Sequence, residues 1–312
     1  MDILFMGTSE FAIPTLEMLR NSRWPLLGVV TQPDRPRGRG RKLAAPPVKQ
    51  YVEGTGIPVY QPGSSGELAK ILTSGQIKPA VIVVVAYGRL LSSQILKTPP
   101  LGCINLHPSL LPAYRGAAPM QRAIINGETR TGITTMYLNE EMDAGDIILQ
   151  EEIEIGQDET YGEFASLAAK RGAALMFKTL TLIEEGKAPR LSQDHSRATY
   201  APPLKAEEER IDWTRSAKRI YNLIRGMNPR PGAYTLFRGN NLKIWRARPE
   251  DGVSEHFRPG QVVDADPKTG FTVQTGNGRL LITEVQPAGR SHMSGAEFVR
   301  GYKIFRGFLL GE

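Results

Sequence analysis

Residues 80–85, Ala-Val-Ile-Val-Val-Val, form an unbroken apolar run with no alternation between polar and apolar side chains. A strand with one face in water alternates with a period of two, so this run predicts a central strand covered on both faces, as in a parallel sheet flanked by helices. Shorter apolar runs at 3–6, 26–31, 59–60 and 103–106 supply further strands, and a helix is predicted over 14–20. Strands and helices in alternation give an α/β fold, a doubly wound, mostly parallel sheet. The stretch 161–185 reads as one long helix, with Phe164, Leu167, Ala168, Leu175, Phe177 and Leu180 among its apolar positions and Gly186 as its stop.

One strand of this set ends on polar residues. In 103–107, Cys-Ile-Asn-Leu-His, the alternation places Cys103, Asn105 and His107 on one side and Ile104 and Leu106 on the other. The strand breaks at Pro108 into Ser109, Leu110, Leu111 and Pro112. Open α/β sheets bind ligands outside the carboxyl ends of their strands, so an amide and an imidazole beside two leucines predict a pocket with an apolar wall. The run 80–85 ends in the same way, at Ala86, Tyr87 and Gly88. Downstream, a strand at 133–138 runs into an acidic turn at 139–146, Asn-Glu-Glu-Met-Asp-Ala-Gly-Asp, which offers the Asp143 carboxylate to His107. Any one of these residues alone is equally well a strand cap or a turn former; their combination is what points to chemistry.

A chain of 312 residues exceeds the usual size of one hydrophobic core. From 187 to 209 it turns polar, with Pro189, Pro202 and Pro203 and no periodicity. The expected division is therefore a catalytic domain at 1–188, a linker at 189–205 and a second domain at 206–312. After a helix at 216–225, strand-like runs at 233–237, 242–248, 260–263, 271–275 and 280–285 suggest a small β-barrel. The net charge of +7 is concentrated in two places. The loop 34–49 holds Arg35, Arg37, Arg39, Arg41, Lys42 and Lys49 against Asp34, and 201–312 holds 18 basic and 12 acidic side chains. A basic loop and a basic second domain imply a polyanionic partner. The charge and glycine content of 35–42 are too high for a packed element, and a mobile loop is expected there.

Other function classes find little support. No window approaches 18 apolar residues and the start lacks a basic, apolar leader, so a soluble, cytoplasmic protein with no membrane partner is expected. Cys103 is the only cysteine, and His107, His195, His256 and His292 form no ligand motif, so no metal is expected. Residues 7–12, Gly-Thr-Ser-Glu-Phe-Ala, lack the second and third glycines of a dinucleotide fingerprint, which argues against NAD. A Cys103–His107 nucleophile fails on distance, since four residues of strand span roughly 13 Å.

The sequences Asn-x-His-x-Ser-Leu-Leu-Pro at 105–112, Arg-Gly-Ala-Ala-Pro at 115–119 and Met-Asp-x-Gly-Asp at 142–146 occur together with Phe-Met-Gly-Thr-Ser-Glu-Phe-Ala at 5–12, Gln-Pro-Asp-Arg at 32–35 and Val-Val-Ala-Tyr-Gly at 84–88. Over essentially the whole chain this set resembles the formyltransferases that use 10-formyltetrahydrofolate. The resemblance implies a Rossmann-like catalytic domain followed by an OB-like barrel that helps hold tRNA. It also implies transfer of a formyl group to the α-amino group of methionine on initiator tRNA by a monomer without metal or NAD. Asn105, His107 and Asp143 are then catalytic, Ser109, Leu110, Leu111 and Pro112 with Val85, Ala86, Tyr87 and Gly88 line the folate pocket, and Arg35, Arg37, Arg39, Arg41 and Lys42 meet tRNA phosphates. Ala113 and Tyr114 stand where many relatives carry an Arg-Trp pair, a departure that bears on local substrate contacts. Two other functions compete: formylation of a small amine, such as glycinamide ribonucleotide or an amino sugar nucleotide, and tRNA binding without catalysis.

The chemistry suits the residues. Formyl transfer to an amine passes through a tetrahedral intermediate with negative charge on the former carbonyl oxygen. One hydrogen-bond donor to that oxygen is typically worth about 3–4 kcal/mol of barrier. The Asn105 amide and a protonated His107 are two such donors. A carboxylate at Asp143 favours the charged imidazolium, orients the ring and can accept the proton the amine must lose.

Overall fold

The computed structural model describes residues 1–37, 42–75, 77–252 and 256–312. These divide into two compact units, one of Met1–Pro119, Arg130–Glu154 and Ala165–Ala201, the other of Met120–Thr129, Ile155–Phe164 and Pro202–Glu312.

The first unit is built on a seven-stranded sheet. Its strands are β1 (Ile3–Gly7), β2 (Leu26–Val30), β5 (Val59–Tyr60), β6 (Val81–Val85), β7 (Cys103–His107), β8 (Arg130–Tyr137) and β9 (Ile147–Glu154), ordered β5-β2-β1-β6-β7-β8-β9. The pairs from β5 to β7 are parallel, and β8 and β9 add on antiparallel. Helices α1 (Ile13–Arg20), α2 (Pro47–Val52), α3 (Ser65–Thr73) and α4 (Ser93–Leu96) lie between the parallel strands in sequence, and α6 (Tyr161–Glu184) follows β9. Every residue of β1 and β6 is buried, as the unalternating run at 80–85 predicts. Fully burying a Val or Ile contributes roughly 1.5–3 kcal/mol each, so this strand pair anchors the unit. The chain order reverses between β1 and β6, and Thr8 Oγ1 donates to the Tyr87 carbonyl across that crevice, 2.9 Å. Such a switch point is where doubly wound sheets place their ligands.

Between β2 and α2 the structure departs from the expectation that 35–42 holds no packed element. The flanks of the basic loop are not irregular: β3 (Arg35–Arg37) and β4 (Lys42–Ala44) pair antiparallel, Arg35 opposite Ala44 and Arg37 opposite Lys42. High charge does not forbid a short two-stranded ladder, and Leu43 on it is 74 % exposed. Residues 38–41, and with them Arg39 and Arg41, lie outside the described residues.

The second unit contains α7 (Ala217–Gly226) and the antiparallel strands β10 (Tyr234–Phe237), β11 (Asn240–Glu250), β12 (Val262–Asp266), β13 (Gly270–Gln274), β14 (Arg279–Pro287) and β15 (Met293–Ser294), followed by α8 (Gly295–Tyr302). The order is β10-β11-β14-β13-β12, with β15 on β14. Among the described residues no ladder joins the edge strands β10 and β12, so the pairings establish an antiparallel sheet. Its core holds Phe271, Phe298, Ile282, Val285 and Ile220, and Phe298 stacks on Tyr302 at 4.6 Å between ring centres. Helix α5 (Pro119–Asn126) supplies Arg122, whose guanidinium grips both Glu208 oxygens at 2.5 and 2.9 Å.

Candidate active site

β7 delivers Asn105 and His107 to the crevice because its other face is committed to the core. Leu106 packs against Gly172 of α6, so the alternation turns residues 105 and 107 the opposite way. Asn105 is half-buried at its end of the strand, and its amide makes no hydrogen bond to the described residues. The His107 side chain is 5 % exposed. Its Nε2 donates to the Tyr114 carbonyl at 3.0 Å, and because a carbonyl can only accept, that hydrogen bond puts a proton on Nε2. Nδ1 faces Asp143 Oδ2 at 3.6 Å. A second proton on the ring would therefore sit on Nδ1, beside the carboxylate. This contact is made to the Tyr114 backbone carbonyl, so the Ala113-Tyr114 departure leaves it intact.

Asp143 is gripped in turn. Its Oδ2 accepts from the Gly116 N–H at 2.8 Å, and its backbone lies in the left-handed region, φ 52°. Aspartate tolerates that region better than most residues. Two residues on, Gly145 sits so close to β8 that a Cβ there would collide with the Tyr137 carbonyl.

The loop after β7 is held from below by β8 and β9. Thr134 Oγ1 donates to the Ser109 carbonyl at 2.7 Å and accepts from the Leu111 N–H at 3.3 Å; Gln150 Nε2 donates to the Leu111 carbonyl at 2.9 Å. Leu111 is buried with Met136 and Ile147. Leu110, less buried, lies over Gly132, where any side chain would displace it. Pro112, joined to Leu111 by a cis peptide, completes the loop, and Ser109 Oγ donates to the Ala113 carbonyl at 2.6 Å. On the neighbouring strand end, Val85 and Tyr87 are buried while Ala86 and Gly88, both at positive φ, are exposed. Burial pushes the Tyr87 hydroxyl above its ordinary range, Arg89 opposing. Cys103 shares the strand but is buried, and burial pushes its thiol up to about 12, which removes it as a nucleophile.

The basic hairpin rises from a polar knot. Gln61 and Lys49 hydrogen-bond Asp34 and hold its carboxyl below the usual carboxylate range, and Arg35 Nη2 donates to Gln32 Oε1 at 3.1 Å. A cavity of about 190 Å³ lined by Thr8, Gln32, Arg35 and Ala44 opens there. Among the described residues no group of three or more His, Cys, Asp or Glu side chains is placed to hold a metal ion, and no helix is long and apolar enough to cross a membrane.

Residues 1–180 match the family described as formyl transferase, and 203–303 match formyl transferase, C-terminal domain. A methionyl-tRNA formyltransferase of Moorella thermoacetica is 50 % identical over 311 residues, covering 100 % of this chain and 99 % of its own. The same-named enzyme of Pelotomaculum thermopropionicum is 48 % identical over 312 residues, with 100 % and 99 % covered. The chain belongs to the methionyl-tRNA formyltransferase family. A solved N-formyltransferase of Helicobacter canadensis, in complex with folinic acid and dTDP-3-aminofucose, shares the fold at a TM-score of 0.66 with 15 % identity, over 91 % of this chain and 98 % of that one.

Several residues of the site are silent in the sequence pattern. The stretch 191–201 falls inside the predicted linker, yet it is knitted into the first unit. Leu191 and Ile147 exchange backbone hydrogen bonds at 2.8 and 3.0 Å, Thr199 Oγ1 accepts from the Tyr114 N–H at 2.8 Å, and the Ala201 N–H donates to the Arg115 carbonyl at 2.7 Å. Proline and polar content report the lack of regular structure, not the lack of tertiary bonds. Gln193 is buried within this strap and Arg115 is 3 % exposed. The only sequence signal for either is that Arg115 opens the 115–119 motif.

Proposed function

We propose that this protein transfers the formyl group of 10-formyltetrahydrofolate to the α-amino group of methionine esterified to initiator tRNA, in the cytoplasm and without metal or NAD. The observation that carries the reading is the convergence of Asn105, His107 and Asp143 at one strand end, with His107 Nδ1 3.6 Å from the carboxylate. The neutral amine, of reference pKa near 7.7–8.0, attacks the formyl carbon and a C–N bond forms. The oxygen of that carbon takes up negative charge, met by the Asn105 amide and, when the ring is protonated, by His107 Nδ1–H. Asp143 accepts the proton released by the amine, directly or through water. Collapse breaks the bond to N10, which leaves with the proton that Asp143 took from the amine, and the carboxylate is regenerated. Ser109, Leu110, Leu111 and Pro112 on one side and Val85, Ala86, Tyr87 and Gly88 on the other hold the folate, the apolar groups against its rings and the backbone on its polar edge.

The tRNA reading draws on charge: Arg35, Arg37, Arg39, Arg41 and Lys42 at the hairpin, and the basic domain at 206–312, meet phosphates. Relatives at 48–50 % identity favour this acceptor over the sugar amine of the distant structural neighbour. The test is an acceptor panel. With 10-formyltetrahydrofolate present, methionyl initiator tRNA should be formylated, and free methionine, glycinamide ribonucleotide and an amino sugar nucleotide should not. Turnover of a small amine alone would replace the reading, and binding of tRNA with no transfer would reduce the protein to a binding module.

A further inference from the structure

Asp143 is held by two separate grips, one on its side chain and one on its main chain. The Gly116 N–H takes the side chain. The main chain belongs to Gln193, whose Nε2 donates to the carbonyls of both Asp143, 2.9 Å, and Gly145, 2.8 Å. Gln193 Oε1 accepts from Arg115 Nε and Nη2 at 3.1 and 2.7 Å, and Arg115 Nη1 donates to His195 Nδ1 at 3.4 Å. A guanidinium has no acceptor, so it fixes which end of the carboxamide points where: oxygen to Arg115, nitrogen to the two carbonyls. All four hydrogen-bonding positions of one buried amide are thereby used. The carbonyls it ties flank Ala144, immediately after the left-handed turn at Asp143 and beside the close approach of Gly145 to β8.

We infer that Gln193 is a positioning residue for Asp143 and that Arg115 is the clamp that orients it; this rests on the catalytic reading of Asp143 above. Gln193 touches no reacting atom. It sets where the Asp143 carboxylate stands relative to His107 Nδ1, and the strap 191–201 is in this sense part of the active site.

Gln193→Glu separates the possibilities. The substitution keeps the shape and strengthens the pairing with Arg115, but it sets a carboxylate oxygen against two carbonyl oxygens. Turnover should fall by about tenfold or more while KM for folate and for tRNA stays within about twofold. In an Asp143→Ala background the same substitution should lower the residual kcat by less than about twofold, because the path through Asp143 is already gone. The ring ¹⁵N resonances of His107 in the ligand-free protein should move in Gln193→Glu in the same sense as in Asp143→Asn. A full additive loss in both backgrounds, or unmoved His107 resonances in a folded variant, overturns the assignment. If Gln193→Glu does not fold, Gln193→Met removes the same donors without a charge and enters the same cycle. Should Asp143→Ala keep wild-type turnover, the catalytic reading falls, and the His107 resonances still decide the positioning claim.

Discussion

The strand-end site and the basic hairpin lie in the same unit and are built in opposite ways. Around His107 nearly every polar group has a protein partner: Nε2 on Tyr114, Nδ1 facing Asp143, Asp143 on Gly116 and Gln193, and the 109–112 loop on Thr134 and Gln150. Among the described residues, the hydrogen bonds beside the hairpin lie at its base, through Asp34, Lys49, Gln61 and Gln32, while Arg35 and Leu43 face solvent. Chemistry needs groups fixed before substrate arrives, since reorganisation during the reaction costs barrier height. Capture of a polyanion needs charge, not fixed geometry, and its strength is set by counterion release. Under the proposed function, the first region would set rate and the second affinity.

Breaking the first region should have the largest effect. Asn105→Ala, His107→Ala and Asp143→Ala are each expected to lower kcat by about a hundredfold or more, with the Kd for tRNA changed less than about twofold, as read by formylation kinetics beside filter binding. Double variants should lose far less than the product of the single losses. Near-normal turnover in any one removes that residue from the mechanism.

Breaking the second region should act on capture. Changing Arg37, Arg39, Arg41 and Lys42 together to Ala is expected to lower kcat/KM for tRNA by about thirtyfold at moderate salt. It should also flatten the dependence on salt and leave the folate KM unchanged. A hairpin that is only solvated surface would leave all three quantities alone.

Two smaller effects sharpen the boundary between the regions. Leu110→Asp should weaken folate binding by about tenfold in a fluorescence titration, because it sets a charge without a partner against the apolar wall. An unchanged affinity in a folded variant would move the pocket elsewhere. Cys103, on the site's own strand, should show no catalytic role: Cys103→Ala is expected to alter kcat less than about twofold. Its thiol, raised from 9.0 to about 12 by burial, favours the protonated form in the folded state. Its contribution to stability is therefore complete below pH 9.0 and is lost only as the pH climbs toward about 12. Alkylation of the native protein near pH 8 should accordingly be much slower than that of the unfolded chain, and fast labelling would contradict the burial.

The central sheet was the most legible part of the molecule, because β1, β6 and β7 carry their own apolar patterns and β7 keeps a period of two up to His107. The pairing of His107 with Asp143 followed from residue chemistry plus family spacing. What stayed hidden depends on tertiary context. β9 mixes buried isoleucines with glutamates at 151, 152 and 154 that reach water, so its pattern reads as polar. The hairpin strands are three residues each, too short for periodicity to act on. α8 was announced only by Ser294 and Glu297, which form its capping box. Gln193 could not be found at all from sequence, because a buried glutamine in an irregular strap looks like a solvated one until its hydrogen-bond partners are in place.

Single-turnover formylation of saturating methionyl initiator tRNA at low salt tests the division of labour most directly. At saturation capture is complete in every variant, and only chemistry is left to limit the rate. The Arg37, Arg39, Arg41 and Lys42 variant should then recover the wild-type rate, while Asp143→Ala stays about a hundredfold slow at every tRNA concentration. A hairpin variant that remains slow at saturation, or an Asp143→Ala protein rescued by more tRNA, would contradict the account.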